Sequence, residues 1–205
     1  MRRRTLFILI VCGVMTGWAL ESAMAGKGNG KGGEKPAPSP VLTTAEANDL
    51  LFMREEEKLA RDVYITLHAK WGVRAFDNIS QSEQRHMDAI LGLLNTYGLD
   101  DPALGAGEFA DTELQTLHDD LVAGGLQSKL DALMVGALIE EVDMEDIVAA
   151  MKRTNKSDIL AVYGNLLAGS ENHLNAFVRN IEAITGEIYQ AQWISQEEVD
   201  TILGR

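Results

Sequence analysis

The chain has 205 residues, of which 31 are acidic and 18 basic, and its net charge is −13. An acidic surface repels phosphate groups, so this composition argues against nucleic acid and anionic membrane surfaces as partners. About 160 residues follow residue 42, which is enough for one domain with its own core.

The first 25 residues have the pattern of a secretory signal peptide. Three arginines follow the initial methionine, then comes an apolar run too short to span a membrane, and Ala23-Met24-Ala25 forms a cleavage motif. The pattern predicts cleavage after Ala25 and export to the periplasm or the medium; an uncleaved amino-terminal anchor is the alternative. The single cysteine, Cys12, lies in this segment, so the mature protein would have neither a disulfide nor a cysteine-ligated metal.

Residues 26–42 are rich in Gly, Lys and Pro, a composition that predicts a tether without a core. Without residues 1–25, 15 basic and 30 acidic residues remain, so the mature chain has a net charge of −15. Such a surface attracts cations, although an acidic balance by itself mostly provides solubility. We expect no stable insertion into a membrane after signal cleavage.

Residues 43–205 are predicted to be all-α, because no segment alternates with the period of two that strands require. Thr43 and Glu46 form a capping-box pattern, which begins a first long helix that ends near Lys70. Further long helices are predicted at about 77–97, 126–153 and 158–185, with residues 155–157 capping the last of them. Short helices are predicted near 112–123 and 195–203. This order predicts a ferritin-like four-helix bundle with one short extra helix between helices 2 and 3 and another at the carboxyl terminus.

Polar residues interrupt the apolar stripe of each long helix. They are Glu57 on the first helix, Glu83 and His86 on the second, Glu140 on the third and His173 on the fourth. A buried carboxylate without a partner costs several kcal/mol, so carboxylates and imidazoles that converge in one core favour a divalent metal that offsets their charge. Carboxylate oxygen and imidazole nitrogen suit Fe, Mn or Zn.

Each of these residues also has a simpler explanation. Ser80 and Glu83 fit a capping box, and Glu57 lies in the charged run REEEK, which is typical of a solvated helix face. A lone His173 would more often be a satisfied buried histidine than a ligand. The metal hypothesis is favoured because the polar residues occupy corresponding places on four inner stripes.

The inner stripes also distinguish Glu140 from Glu141 and predict where His68 and His118 lie. Glu140 is preferred over Glu141 as the ligand, because it continues the apolar stripe of its helix. His68 and His118 have no comparable neighbours on their stripes, so both are expected at the surface.

Four segments resemble a known family. EEEKLARDVY, FDNISQSEQRHM, VGALIEEVDMEDI and VYGNLLAGSENHLNAF are similar to the uncharacterised ferritin-like family catalogued as domain of unknown function 2202, over about residues 45–185. More distantly, Glu57 and Tyr64 resemble the E-x-x-A-x-x-x-Y of the first helix of rubrerythrin, and Glu83 with His86 resembles its second-helix E-x-x-H. The ferritin-like pattern implies a di-metal centre, with a Glu from each of two helices and an E-x-x-H from each of the other two.

The chain departs from that pattern at Ser170, which stands where the last E-x-x-H would have its Glu. Glu171 is one residue away and is expected to point outward, whereas Asp143, one turn after Glu140, is a candidate for the missing carboxylate. The resemblance therefore implies either one metal ion or an asymmetric pair.

The resemblance implies a non-haem iron or manganese protein with one or two ions, or with Zn, and oxidase or peroxidase chemistry toward oxygen or peroxide. Together with the signal-peptide pattern, it predicts that this metal protein is exported. Tyr64 is the candidate catalytic residue, through a hydrogen bond near Glu57, and core packing is its alternative role. Two other functions stay open: metal binding without turnover, and an interaction bundle with a degenerate site. Whether the chain is an enzyme is therefore left open, and a homodimer is compatible with the pattern.

Overall fold

The computed structural model describes residues 41–205, and this range contains six α-helices and no β-strand. The predicted signal peptide, 1–25, and nearly all of the predicted tether, 26–42, lie outside the described residues. The helices are α1 (Thr44–Trp71), α2 (Arg74–Tyr97), α3 (Thr112–Gly125), α4 (Lys129–Met151), α5 (Ser157–Thr185) and α6 (Gln196–Leu203). None of these helices is long and apolar enough to cross a membrane.

The predicted all-helical bundle is confirmed, with four long helices, a short helix between the second and third, and a short one at the end. Two helix starts differ from the prediction. α2 begins at Arg74, because the chain reverses within two residues at Gly72, whose φ of 64° is the left-handed conformation that glycine adopts easily. α4 begins only at Lys129, because the Ser128 side chain accepts a hydrogen bond from the Asp131 backbone and caps the helix there.

The first helix begins as predicted. Thr43 Oγ1 accepts a hydrogen bond from the Glu46 backbone N–H at 3.2 Å, and the Glu46 carboxylate accepts one from the Thr43 N–H at 2.8 Å. The predicted cap of α5 is wrong: Lys156 occupies the capping position without a side-chain hydrogen bond. In the short connection between α4 and α5, Thr154 Oγ1 instead accepts a hydrogen bond from the Lys156 backbone N–H.

The long helices pack as two pairs, α1 with α2 and α4 with α5, while α3 lies against α1 and α4. Their inner faces form two apolar clusters. One contains the rings of Tyr64, Phe76 and Phe177, whose centroids lie 5.2–5.8 Å apart. The other contains aliphatic residues of all four helices, such as Leu50 and Ile147.

A layer of polar residues separates the two clusters. On α1, Glu57 follows Met53 of one cluster and precedes Ala60 of the other. On α2, the pair Glu83 and His86 likewise falls between residues of the two clusters. On α5, His173 falls between Leu166 of one cluster and Leu174 of the other, whereas on α4 Glu140 is flanked by Ile139 and Met144 of the same cluster. The bundle thus has a polar centre with apolar residues on both sides of it along the helices.

Candidate metal centre

The four long helices bring all five predicted ligands together at this polar centre. Glu57, Glu83, His86, Glu140 and His173 are all buried. They form two groups of three that share Glu83, one with Glu57 and His86 and the other with Glu140 and His173, and in each group the potential ligand atoms lie within 4.8 Å of one another. The two imidazole rings stack with their centroids 5.5 Å apart. These Glu and His groups could hold a metal ion.

Glu83 lies between the two histidines. Its Oε2 is 2.8 Å from His86 Nδ1 and its Oε1 is 2.8 Å from His173 Nδ1. Each ring nitrogen also faces a second carboxylate: Glu57 Oε2 lies 3.1 Å from His86 Nδ1, and Glu140 Oε2 lies 3.4 Å from His173 Nδ1. One ring N–H can serve only one acceptor well, so each nitrogen faces more oxygen atoms than it can satisfy.

Several buried polar atoms of the centre have no hydrogen-bond partner within residues 41–205. They are Glu57 Oε1, Glu83 Oε1, Asp143 Oδ1 and His173 Nδ1. Glu83 Oε1 and His173 Nδ1 are 2.8 Å apart but not aligned for a hydrogen bond. Because buried polar atoms are nearly always hydrogen-bonded, atoms that converge without bonding fit a shared cation. Carboxylates and imidazoles are the donors that Fe, Mn and Zn accept, so the residues present fit a metal ion.

The electrostatics of the centre point the same way. Burial, followed by the charge of Asp143, raises the pKa of Glu57 well above its usual range. Burial lowers the pKa of His86, but the carboxylates of Glu57 and Glu83 outweigh it and raise that pKa to about 11. Burial and the charge of Glu140 raise the pKa of Asp143 to about 8. A raised carboxyl pKa means that the ionised form is disfavoured in this buried place, and a divalent cation would favour that form by offsetting its charge.

Tyr64 contacts a different carboxylate from the one expected. Its hydroxyl donates to Glu140 Oε1 at 2.6 Å, across the bundle, and not to Glu57 on its own helix. Burial and the charge of Glu140 raise the pKa of Tyr64 well above its usual range, so the phenol keeps its proton. The hydroxyl engages one oxygen of Glu140, and the other oxygen is the one that faces His173.

Ser170 and Asp143 form a pair where the ferritin-like pattern has a single Glu. The Ser170 hydroxyl donates to Asp143 Oδ2 at 2.6 Å, and Asp143 Oδ1 is one of the unpartnered buried atoms. Asp143 belongs to neither group of three potential ligands. Glu171 is exposed, as the sequence predicts.

Glu141 is also buried, but its carboxylate is used elsewhere. It accepts hydrogen bonds from the backbone N–H groups of Gln192, Trp193 and Ile194 and, at 2.7 Å, from the Tyr189 hydroxyl. These contacts attach the segment before α6 to the bundle. Of the two adjacent glutamates, Glu140 is therefore the one at the centre.

The simpler explanations for Glu83 and Glu57, a capping box with Ser80 and a solvated helix face, are both wrong. Ser80 cannot cap a helix, because α2 begins six residues earlier, and its hydroxyl donates to the Asp77 carbonyl at 2.9 Å. The run REEEK is not a solvated face, since Arg54 and all four residues that follow it are buried. The connection between α2 and α3 covers Arg54, Glu55 and Lys58 of this run: Lys58 Nζ, for example, donates to the Glu108 carbonyl at 2.9 Å.

The surface prediction for His118 is also wrong. His118 is buried against the Phe109 ring, with centroids 5.3 Å apart, and its Nδ1 lies 3.0 Å from Asp119 Oδ1. The same connection between α2 and α3 covers it. His68 is half-buried, with Nδ1 3.1 Å from the Val73 carbonyl oxygen.

Gly169 of α5, which no sequence motif indicates, lies directly against the His86 ring and limits the space around it. A Cβ atom at Gly169 of α5 would lie 2.5 Å from His86 Nε2 and 2.6 Å from Cε1 of the same ring. Glycine at this position therefore makes room for the His86 imidazole. In the sequence, this role of Gly169 is indicated by its position on the inner stripe of α5, one turn before His173.

Comparisons with known proteins agree with the resemblance noted in the sequence. Residues 46–205 match the family described as Uncharacterized protein domain (DUF2202). The uncharacterized protein MJ0754 of Methanocaldococcus jannaschii is 44% identical over 168 residues, which cover 81% of this chain and 90% of that protein. A crystal structure of hypothetical protein MJ0754 from Methanococcus jannaschii matches with a TM-score of 0.78 at 43% identity, covering 83% of this chain and 98% of that one. The chain therefore belongs to the DUF2202 family.

Proposed function

We propose that this protein is a ferritin-like metal-binding protein that holds one or two ions of Fe or Mn, or of Zn, at the centre of its bundle. The observation that carries the proposal is the position of Glu83, whose two oxygens face His86 and His173 at 2.8 Å each. A carboxylate placed between two groups of ligands divides the centre into two adjacent metal positions. Four long helices with a long connection between the second and third are the arrangement in which ferritin-like proteins build such centres.

We expect the two positions to differ in affinity. Each position has two carboxylates and one imidazole: Glu57, Glu83 and His86 at the first, and Glu83, Glu140 and His173 at the second. The position at Glu140 and His173 shares Glu83 but has Ser170 where the pattern supplies a further carboxylate. A neutral hydroxyl offsets less cation charge than a carboxylate, so the first position should be the tighter one.

The same centre suits redox chemistry. Bound iron or manganese would supply one-electron chemistry toward oxygen or peroxide. The protein would contribute the buried ligands, the water-poor surroundings and the Tyr64 hydroxyl that orients Glu140. Metal binding without turnover is the second candidate, because the chain has no cysteine other than Cys12 to bind an iron that delivers electrons. We also propose export, on the signal-peptide pattern of residues 1–25.

Metal analysis of the purified protein tests the proposal. We expect about one tightly bound ion per chain after expression in medium rich in iron and manganese, because Ser170 replaces the further carboxylate that the ferritin-like pattern has beside His173. His86→Ala should lose that ion, and Ser170→Glu should raise the ratio toward two. Glu171→Gln, which removes an exposed carboxylate next to Ser170, is the control and should bind as the wild type does.

Two results would count against the proposal in different ways. A wild-type chain without metal would favour the interaction bundle with a degenerate site. Metal binding without peroxide-dependent turnover, measured with a supplied reductant, would leave the binding function and remove the enzymatic one.

A further inference from the structure

A second pair of carboxylates lies beside the centre and belongs to neither group of ligands. Glu56 of α1 is only 8% exposed, and its Oε2 has no hydrogen-bond partner in the described part of the chain. Its carboxylate lies within hydrogen-bonding reach of that of Asp146 on α4, which is half-buried and borders the solvent. Two carboxylates in contact, one of them buried, need either a shared proton or a cation between them.

Among the described residues, the groups that act most strongly on Glu56 include no basic residue to offset its charge. Asp146, Asp143 and Glu57 all act on it, and all three are acidic. The basic residue that acts on Asp146 is Arg153, whose guanidinium makes two hydrogen bonds of 2.8 Å to Asp49. Arg153 is therefore already paired.

An independent observation concerns Tyr163 of α5. Its hydroxyl is buried without a hydrogen-bond partner among the described residues, and the side chain is 1% exposed. The charges of Asp49, Arg153 and Glu56 act on this hydroxyl, so it belongs to the same polar region. A buried hydroxyl rarely lacks a partner, and here it adds an oxygen to a region that already has unpaired carboxylates.

Helix geometry connects this region to the centre. On α4, Glu140, Asp143 and Asp146 follow one another at intervals of three residues. Each interval advances along the helix axis by about 4.5 Å, so the three carboxylates lead from the centre toward the solvent. On α1, Glu56 directly precedes the ligand Glu57.

We propose that Glu56 and Asp146 form an outer position that captures a divalent metal ion from solvent, and that the ion then passes Asp143 to reach the centre. Asp146 makes the first contact because it borders the solvent, and the buried Glu56 removes the ion from water. The inference rests on the proposed function, because an access path requires a centre that binds metal.

Stopped-flow measurement of cobalt(II) uptake tests this inference. The purified chain is freed of metal with a chelator, and the absorption of bound cobalt is followed after mixing. Glu56→Gln and Asp146→Asn should each load about tenfold more slowly, because a path lined by negative charge concentrates cations. Release into excess chelator should slow by a similar factor, since the ion leaves by the same path. The final ratio of cobalt to protein should match the wild type.

Glu171→Gln is the matched control, since it also removes one carboxylate, but from an exposed position on α5. Uptake by Glu56→Gln and Asp146→Asn at the rate of this control would overturn the access path and leave the centre intact. A lower final ratio in these two variants would overturn it as well, because it would make the pair part of the centre. A wild-type chain that takes up no cobalt would overturn the proposed function together with the path. If Glu56→Gln fails to fold, the uptake rate of Asp146→Asn alone tests the access path, because the Asp146 side chain is half-buried and borders the solvent.

Discussion

Glu83 shows at the scale of single residues how one side chain can organise a centre. Burial raises its pKa, but contacts with His173 and His86 outweigh burial and lower that pKa to about 2, so the carboxylate stays charged. It is the one carboxylate of the centre that faces both rings at 2.8 Å. The other two, Glu57 and Glu140, each complete one side.

Tyr64→Phe tests whether the tyrosine supports the centre through Glu140. The change removes the 2.6 Å hydrogen bond to Glu140 Oε1 and keeps the ring that packs on Phe76 and Phe177. We expect metal affinity at the Glu140 side to fall about tenfold, since hydrogen bonds that orient ligands have effects of that size. Competition titration against a chelator measures the affinity.

The control for this change is Tyr97→Phe, because the Tyr97 hydroxyl bonds to Asp158 on the surface. Unchanged metal affinity in Tyr64→Phe would assign the residue to core packing alone.

At the scale of elements, α5 meets two different demands, because it must pack closely against α2 and leave room for the His86 ring. Gly169 meets both, since any Cβ there would collide with the imidazole. Gly164 on the same helix has open space around it. The two glycines therefore form a natural comparison.

Gly169→Ala should weaken metal binding strongly, because the His86 ring must move away from Glu57 and Glu83. Gly164→Ala should leave metal binding unchanged and stabilise the protein by about 0.5–1 kcal/mol, since alanine is the better helix former. Metal titration and urea unfolding of both variants give the two quantities. Equal metal affinity in the two variants would show that α5 can shift to accommodate the methyl group.

The connection between α2 and α3 depends on a buried ion pair of α1. Lys58 Nζ donates to Asp62 Oδ2 at 2.7 Å, and the Gly107 backbone N–H donates to the same oxygen at 2.9 Å. Burial raises the pKa of Asp62, but these hydrogen bonds and Arg61 outweigh it and lower the pKa below its usual value. This carboxylate therefore attaches the connection to α1.

Because folding lowers the pKa of Asp62, the stability that its carboxylate contributes is lost at low pH. The stability from Asp62 is fully present above its unfolded pKa, about 3.9, and is lost as the pH falls through the lower folded value. Asp62→Asn should lower the free energy of unfolding at neutral pH, and the loss should shrink as the pH falls below about 4. Urea unfolding between neutral and acidic pH measures the difference, with Asp77→Asn on the exposed side of α2 as the control. A difference independent of pH would contradict the role of the charge.

At the scale of the whole molecule, a metal ion bound at the buried acidic centre would stabilise the fold. Metal-free protein confines several carboxylates with only two imidazoles to offset them, and a bound cation removes that repulsion. A free metal concentration of 100 times the dissociation constant adds about 2.7 kcal/mol. We therefore expect removal of metal by a chelator to lower the melting temperature. His86→Ala with His173→Ala should melt at the same temperature with and without metal; an equal shift in that variant would place the binding elsewhere.

Periodicity was sufficient to predict the helices to within a few residues, and the polar residues that their inner faces bring together. Apolar residues at helical spacing define which face of each helix is buried, so a polar residue on that face, such as Glu57 or His173, can be found without knowing its neighbours. Helix caps that depend on residues a few positions apart, such as Thr43 with Glu46, can be predicted for the same reason.

Tertiary structure decided which residues meet across helices and what the connections cover. Tyr64 bonds to Glu140, and Glu56 faces Asp146, because α1 and α4 pack at a particular level along their axes. The period of a helix specifies a face but not the height at which a partner helix presents its side chains. His118, Glu55 and Lys58 became buried because the connection between α2 and α3 folds over them, and an irregular connection has no period from which its position could be predicted.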